Sequence, residues 1–256
     1  MINLMRNIFW PKASKSAPAK AESRRYPVEL TKDDVAMVEH VRGNKLSMCS
    51  EENLFATILA CRHVVDRGIP GDFVECGVWR GGQAILAAYV FAKANERRRV
   101  VLYDTFKGMT EPTPADRLIA DGSAAQAKYD RQRRDTHTDW CYASLEEVKD
   151  NFRKAGLLGP AVEFVAGPVE ETLPPGRSAV TDGLGALSVL RLDTDWYEST
   201  ATELKALWPK LSAGGICIVD DYGWWSGSKK AVDEYFAGNR PFFSHIDITA
   251  RLAVKP

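Results

Sequence analysis

The sequence predicts an α/β fold in which a mostly parallel, seven-stranded sheet carries helices on both faces and ends in an antiparallel hairpin. Three observations predict it. Continuous apolar runs of strand length alternate with helical patterns, as strands buried on both faces require. The first of these runs breaks into a glycine turn and then a helix, the opening of a βαβ unit. The last two runs follow one another with no helix between them, which suits an antiparallel edge. At 256 residues the chain has the size of one large domain or at most two small ones.

Between positions 11 and 25 the composition shifts to Lys, Ala, Ser, Pro and Arg with almost nothing to bury, so 1–25 is expected to be a flexible arm ahead of a domain at 26–256. Met1, Leu4, Met5, Ile8 and Phe9 fall at helical spacing beside that basic tract, a pattern that suits a membrane-surface or subunit contact as well as a frayed terminus. Leu54, Ile58, Leu59, Cys61 and Val65 recur at helical spacing until Gly68 and Pro70 stop the pattern, which sets a helix over 51–67. The segment 72–77 (D-F-V-E-C-G) reads as a short strand running into a glycine loop, and small residues resume a helical pattern over 83–94. Further strands are expected at 100–103, 162–165, 187–192 and 215–219, with helices at 145–155, 200–208 and 228–237. The closing pair lies at 242–248 and 251–254. One stretch breaks the rhythm. About 35 residues, 107–142, separate a strand from the next helix, and connections of that length are usually lids or binding loops.

Composition narrows the function. The 34 Lys and Arg balance 34 Asp and Glu, so the chain lacks the uncompensated positive field of a general nucleic-acid binder. No apolar run approaches a membrane span, and the first ten residues have no small-residue cleavage site behind them. The five cysteines (Cys49, Cys61, Cys76, Cys141, Cys217) are scattered without a C-x-x-C spacing, which argues against a disulfide framework or a structural zinc site and fits a cytoplasmic protein. His40, His63, His137 and His245 show no metal-ligand spacing. The expected partner is a small-molecule or glycan acceptor, and the expected state a homo-oligomer.

Open parallel sheets bind ligands where their strands end. The first strand end, E-C-G-V-W-R-G-G from 75 to 82, has glycines that let backbone approach a ligand closely, although G-x-x-x-G-G is not the dinucleotide spacing. Asp104 ends the next strand, where a carboxylate can accept both ribose hydroxyls. Together they indicate a nucleoside-containing cofactor. Arg80 is the loop's only basic residue, which fits a cofactor without phosphate such as S-adenosylmethionine, while an NAD-dependent oxidoreductase stays open because helix-terminal N–H groups alone can hold a pyrophosphate. Two later strand ends carry Asp193 with Asp195, and Asp220 with Asp221. Four uncompensated carboxylates would repel and raise each other's pKa, a conflict that a hard cation such as Mg²⁺ resolves. The same aspartates also suit N-caps of the helices that follow.

Four motifs in order, F-V-E-C-G-V-W-R-G-G (73–82), L-Y-D-T-F-K-G-M-T-E-P (102–112), R-L-D-T-D-W-Y-E-S-T (191–200) and G-G-I-C-I-V-D-D-Y-G (214–223), resemble the macrocin O-methyltransferase family, from about Ser50 to the C-terminus. The resemblance implies a class I methyltransferase fold and a metal-dependent methyl transfer from S-adenosylmethionine to a sugar hydroxyl. It implies Asp193, Asp220 and Asp221 as Mg²⁺ ligands and Asp195 as general base. Some relatives place a histidine base near this pair, where this chain has Trp196 and Tyr197. It further implies Glu75, Gly77, Gly81 and Asp104 as cofactor-binding residues, with Thr105 and Phe106 near the nucleoside and Gly167 and Val169 near the adenine. A catechol-type methyltransferase would use the same metal logic on vicinal phenolic hydroxyls. Met109, Tyr129, Trp140 and Tyr142, with Arg131, Arg133 and Arg134, are expected either to close over the acceptor or to form a solvated turn with its own ion pairs. Trp224 and Trp225 are expected at the acceptor pocket or a subunit interface.

Overall fold

A computed structural model describes residues 26–256; the expectations for the arm at 1–25, with Met1, Leu4, Met5, Ile8 and Phe9, lie outside them. Two helices precede the sheet, α1 (Lys32–Gly43) and α2 (Glu51–Asp66). The first escapes the apolar pattern, yet its T-K-D-D start is a capping box: Thr31 Oγ1 accepts from the Asp34 backbone N–H and Asp34 accepts from that of Thr31, satisfying two orphan donors at once. Ser50 caps α2 through the Asn53 N–H.

The alternating units follow as β1 (Asp72–Cys76), α3 (Gly82–Lys93), β2 (Val100–Asp104), α4 (Gln126–Gln132), α5 (Leu145–Lys154), β3 (Val162–Ala166), the short α6 (Val169–Thr172) and α7 (Ala179–Asp182), β4 (Leu187–Leu192), α8 (Tyr197–Leu207), β5 (Leu211–Val219), α9 (Ser226–Tyr235), β6 (Phe243–His245) and β7 (Arg251–Val254). The sheet order is β3-β2-β1-β4-β5-β7-β6. The first five strands are parallel, and β7 runs antiparallel to both β5 and β6. The expected seven-stranded sheet with its closing hairpin is therefore present. The order reverses between β1 and β4, the switch point at which such sheets open a crevice.

Each strand serves two cores, because successive side chains point to opposite faces. Phe73, Leu102, Val189, Ile216 and Ile218 pack on the face covered by α1, α2, α3 and α5. Val74, Tyr103, Leu190, Cys217 and Val219 pack against α8 and α9 on the other. Leu190 is fully buried, and truncating such a side chain costs about 2–5 kcal/mol.

Two boundaries differ from the pattern for identifiable reasons. Helix α8 begins at Tyr197 rather than 200 because a distant carboxylate, Asp116, accepts its Tyr197 N–H at 2.8 Å, a cap no local spacing reveals. Strand β5 begins at Leu211 rather than 215, with a bulge against β4 between Leu187/Leu211 and Val189/Ile216; Gly214, at φ +78°, interrupts the apolar run.

The insertion 107–142 has its own short helix, α4, and is pinned at several points. Its ends zip together through Thr138 N–H to Lys107 O and Met109 N–H to Trp140 O. Its middle docks on the loops after β4 and β5: Ile119 N–H donates to Trp224 O, Ser226 N–H to Arg117 O, and Trp196 Nε1 to Thr110 O at 3.0 Å. Asp116, fully buried, takes the Thr113 N–H and hydroxyl besides the N–H of Tyr197. Among the described residues no helix is long and apolar enough to cross a membrane.

Candidate active site

The carboxyl ends of β1, β2, β4 and β5 open onto one cavity of about 510 Å³. Glu75, Gly77, Asp104, Thr105, Gly167, Val169, Asp193, Asp195, Asp220 and Asp221 all line it. Two of the residues singled out in the sequence do not. Gly81 is the left-handed N-cap of α3 and turns toward Val148 and Phe152 of α5. Phe106 is buried against Phe164 with ring centroids 6.3 Å apart.

The glycines need a different explanation from ligand approach. A Cβ on Gly77, at φ +80°, would collide with the Asp193 carbonyl, and one on Gly82 would meet the Leu46 carbonyl at 2.6 Å. Both glycines let protein backbones meet, so the β1 loop is wedged against the end of β4. Asp104 organises that loop: its Oδ2 accepts from Val78 N–H (2.7 Å) and Trp79 N–H (3.0 Å), and its Oδ1 from Phe106 N–H (2.7 Å). These bonds leave Oδ1 one good lone-pair direction for a ligand rather than two free oxygens. Burial nevertheless holds the Asp104 carboxyl above its ordinary value.

The aspartates converge. β4 and β5 are neighbours, with Leu192 opposite Val219, so their C-terminal loops bring Asp193, Asp195, Asp220 and Asp221 to one wall. None caps a helix, since Trp196 and Trp225 hold the N-cap positions of α8 and α9 without side-chain bonds; the capping alternative is overturned. Burial, reinforced by the charge of Asp220, raises the Asp193 carboxyl well above the usual range, and burial with the charge of Asp195 does so for Asp221. Asp195, in the left-handed region at φ +71°, accepts from Trp225 Nε1 at 2.7 Å; burial pushes its pKa up to about 7. Asp221 Oδ2 is buried with no partner.

The acids are not uncompensated, as the sequence reading assumed. Arg191, on β4 two residues before Asp193, is fully buried and reaches Asp193 Oδ2 at 2.7 Å and Asp220 Oδ1 at 2.8 Å through Nη2, Glu75 Oε1 at 3.0 Å through Nε, and Asn53 Oδ1 at 2.9 Å through Nη1. Asn53 Nδ2 donates to Asp220, and Gln83 Nε2 to Asn53 Oδ1 at 3.2 Å. Glu75 keeps its second oxygen buried and unpartnered; burial lifts its pKa to about 8 against the opposing pull of Arg191. A charged residue inside the apolar strand L-S-V-L-R-L was the signal for this network, because a buried guanidinium must find acids.

The acceptor side is aromatic. Trp196 packs edge to face on Trp140 and Trp225, which meet each other at a tilt, with centroids 5.1–6.0 Å apart, and Lys128 Nζ lies 3.9 Å from the Trp140 ring centroid. Met109, Trp140, Trp224 and Trp225 line the cavity, so both tryptophans after β5 belong to the pocket wall. Tyr129, Arg133 and Arg134 line an adjoining groove that shares Met109, Gly167 and Pro168 with the cavity, Tyr142 packs on His137 at 4.6 Å, and Arg131 lines neither. Met48, Trp224 and Ile248, exposed by 62%, 41% and 74%, sit at the cavity wall.

The sequence profile of the Macrocin-O-methyltransferase (TylF) family matches residues 5–251. The chain is 40% identical over 188 residues to the 8-demethyl-8-(2,3-dimethoxy-alpha-L-rhamnosyl)-tetracenomycin-C 4'-O-methyltransferase of Streptomyces olivaceus, covering 73% of this chain and 62% of that protein. It is 41% identical over 175 residues to the demethyldecarbamoylnovobiocin O-methyltransferase of Streptomyces niveus, covering 68% of this chain and 61% of that protein. The chain thus spans about three fifths of the length of these curated relatives. The solved structure of the O-methyltransferase NovP matches with a TM-score of 0.72 and 30% identity, over 87% of this chain and 98% of that one. The fold is that of the class I methyltransferases.

Proposed function

The chain belongs to the macrocin O-methyltransferase family, and from that premise we propose that it methylates a sugar hydroxyl of a natural product or glycan, using S-adenosylmethionine and a divalent cation such as Mg²⁺. The observation that carries this reading is the set of four carboxylates at the ends of β4 and β5, facing one cavity with a buried oxygen of Asp221 left without a partner. Both curated relatives described above are named for O-methylation, and the first is named with a rhamnosyl acceptor.

The residues fit a hard cation. Among the described residues Asp193 Oδ1, Asp220 Oδ2 and Asp221 Oδ2 take no hydrogen bond, and oxygen donors of this kind suit Mg²⁺; Asp193 and Asp220 already bring oxygens within 4.8 Å of one another, beside Cys49, while Asp221 stands outside that group. Asp193, Asp220 and Asp221 would hold it. When bound, the cofactor supplies an electrophilic methyl group and the cation supplies Lewis acidity at the acceptor oxygen.

The chain's own residues do the rest. Glu75 presents its unpartnered Oε2, and Asp104 its remaining Oδ1 lone pair, to the cofactor side, with Thr105, Gly167 and Val169 walling the nucleoside. Asp195 takes the acceptor's hydroxyl proton on the oxygen not held by Trp225. Aromatic faces at Trp140, Trp224 and Trp225 stack against a sugar ring or an apolar aglycone. The acidic floor disfavours an anionic acceptor. The insertion 107–142 acts as a lid wall that keeps water from the reacting atoms.

The test is methyl transfer from labelled cofactor to a panel of rhamnosyl acceptors and simple catechols, with Mg²⁺ and with excess EDTA. Turnover on deoxysugar glycosides that EDTA abolishes is expected, and Asp220→Asn should lose it while remaining folded. Undiminished activity in EDTA would remove the metal role; preference for catechols would replace the acceptor.

A further inference from the structure

On the face of the sheet that packs against α2 and α3, Phe73, Val189, Ile216 and Ile218 are buried and apolar, and the charged exceptions are Glu75 and Arg191, opposite one another on β1 and β4. Arg191 occupies the same face and is fully buried, at a desolvation cost that a valine in its place would not incur. Sheet packing therefore does not explain it. Its side chain follows the strand toward Asp193, which shares its face two residues on. Cys49 Sγ, one oxygen of Asp193 and one of Asp220 lie within 4.8 Å of one another. The centre of that cage is taken: Arg191 Nη2 lies 3.2 Å from the sulfur and 2.7 and 2.8 Å from Asp193 Oδ2 and Asp220 Oδ1.

The guanidinium thus fixes one oxygen of each aspartate and leaves the other, Asp193 Oδ1 and Asp220 Oδ2, without a hydrogen bond among the described residues, on two side chains that line the cavity. Its Nε ties the same unit to Glu75 on the cofactor side, and its Nη1 to Asn53 on α2. A planar five-donor fork can satisfy all of these at once, whereas an ammonium cannot hold the same geometry. We propose that Arg191 is a positioning residue for the divalent cation, presenting Asp193 and Asp220 in a fixed orientation rather than serving sheet stability. This inference rests on the metal reading of the proposed function.

Charge and orientation predict opposite outcomes, which makes the test decisive. Removing a positive charge beside a cation site strengthens attraction for a dication, while releasing the two carboxylates weakens binding. Mn²⁺ binding is measured by the paramagnetic resonance of free Mn²⁺ on wild-type protein, Arg191→Gln and Arg191→Lys, with folding checked by circular dichroism and melting. The expected result is a rise of tenfold or more in the Mn²⁺ Kd for both variants. Wild-type or tighter binding by folded Arg191→Gln would overturn the positioning role alone. No Mn²⁺ binding by the wild-type protein would overturn the metal reading and this inference with it. If Arg191→Gln does not fold, Asn53→Ala removes the Nη1 acceptor and a donor to Asp220 from the side of α2. That variant should weaken Mn²⁺ binding at least threefold, and unchanged affinity in it would overturn the proposal.

Discussion

Replacing Glu203 by glutamine should erase a pH dependence of folding that the wild-type protein carries. Glu203 on α8 is fully buried; its Oε1 accepts from Thr194 Oγ1 at 2.8 Å, and its Oε2 has no partner. Burial raises its pKa well above the ordinary carboxyl value, so the folded state keeps a proton that the unfolded chain releases. Its contribution to stability is complete below the unfolded pKa and declines as pH rises toward the folded one. Between those limits the decline runs at about 1.4 kcal/mol per pH unit. In the Glu203→Gln variant the amide keeps an oxygen for Thr194 and has no proton to lose. Urea unfolding of both proteins at several pH values between about 5 and 7 reads the effect as the difference of two free energies, in which the other buried acids cancel. Wild-type stability minus variant stability should fall with rising pH at that slope. Parallel curves would mean that Glu203 is ionised in the folded protein, and the reasoning from its burial would fail.

Asp195→Asn should lower turnover by about 100- to 10,000-fold with the melting temperature preserved, because the amide oxygen can still accept from Trp225 Nε1; near-wild-type turnover would exclude it as base. Trp224→Ala, at an exposed position of the cavity wall, should raise KM for the acceptor with kcat little changed and stability within about 0.5 kcal/mol. Gly77→Ala should destabilise by more than about 1 kcal/mol and weaken S-adenosylhomocysteine binding in calorimetry, since its methyl would strike the Asp193 carbonyl at φ +80°. Leu190→Ala should cost about 2–5 kcal/mol in denaturant unfolding.

Sequence periodicity made the sheet legible because the central strands β1, β2, β4 and the second half of β5 are buried and largely apolar, and the loss of a helix before 251–254 exposed the antiparallel edge. The site was legible as far as strand ends reveal it: Glu75, Asp104 and the four aspartates reach the cavity because a parallel sheet brings those ends together. What stayed hidden depends on contacts between segments distant in sequence. The start of α8 is set by Asp116, 81 residues upstream, and Gly77 is needed by the Asp193 carbonyl just past the end of β4. Arg191 was visible as a charge in an apolar strand, but its partners Asn53 and Cys49 come from α2 and the loop before it, and no local spacing links them. Gly81 and Phe106 show the opposite error, where motif membership suggested ligand contact and packing explains the residue.

Asp116 carries a consequence for exchanging acceptor specificity between relatives. One of its oxygens holds the first N–H of α8, two residues past Asp195, and Gly227 on α9 leaves that oxygen room, since a methyl there would overlap it. Trp196 is tethered to Thr110 in the same way. A transplanted 107–142 segment would therefore have to bring its own carboxylate for that helix end. Otherwise the graft would misplace the proton acceptor, so recognition and chemistry in this fold are inherited as one module.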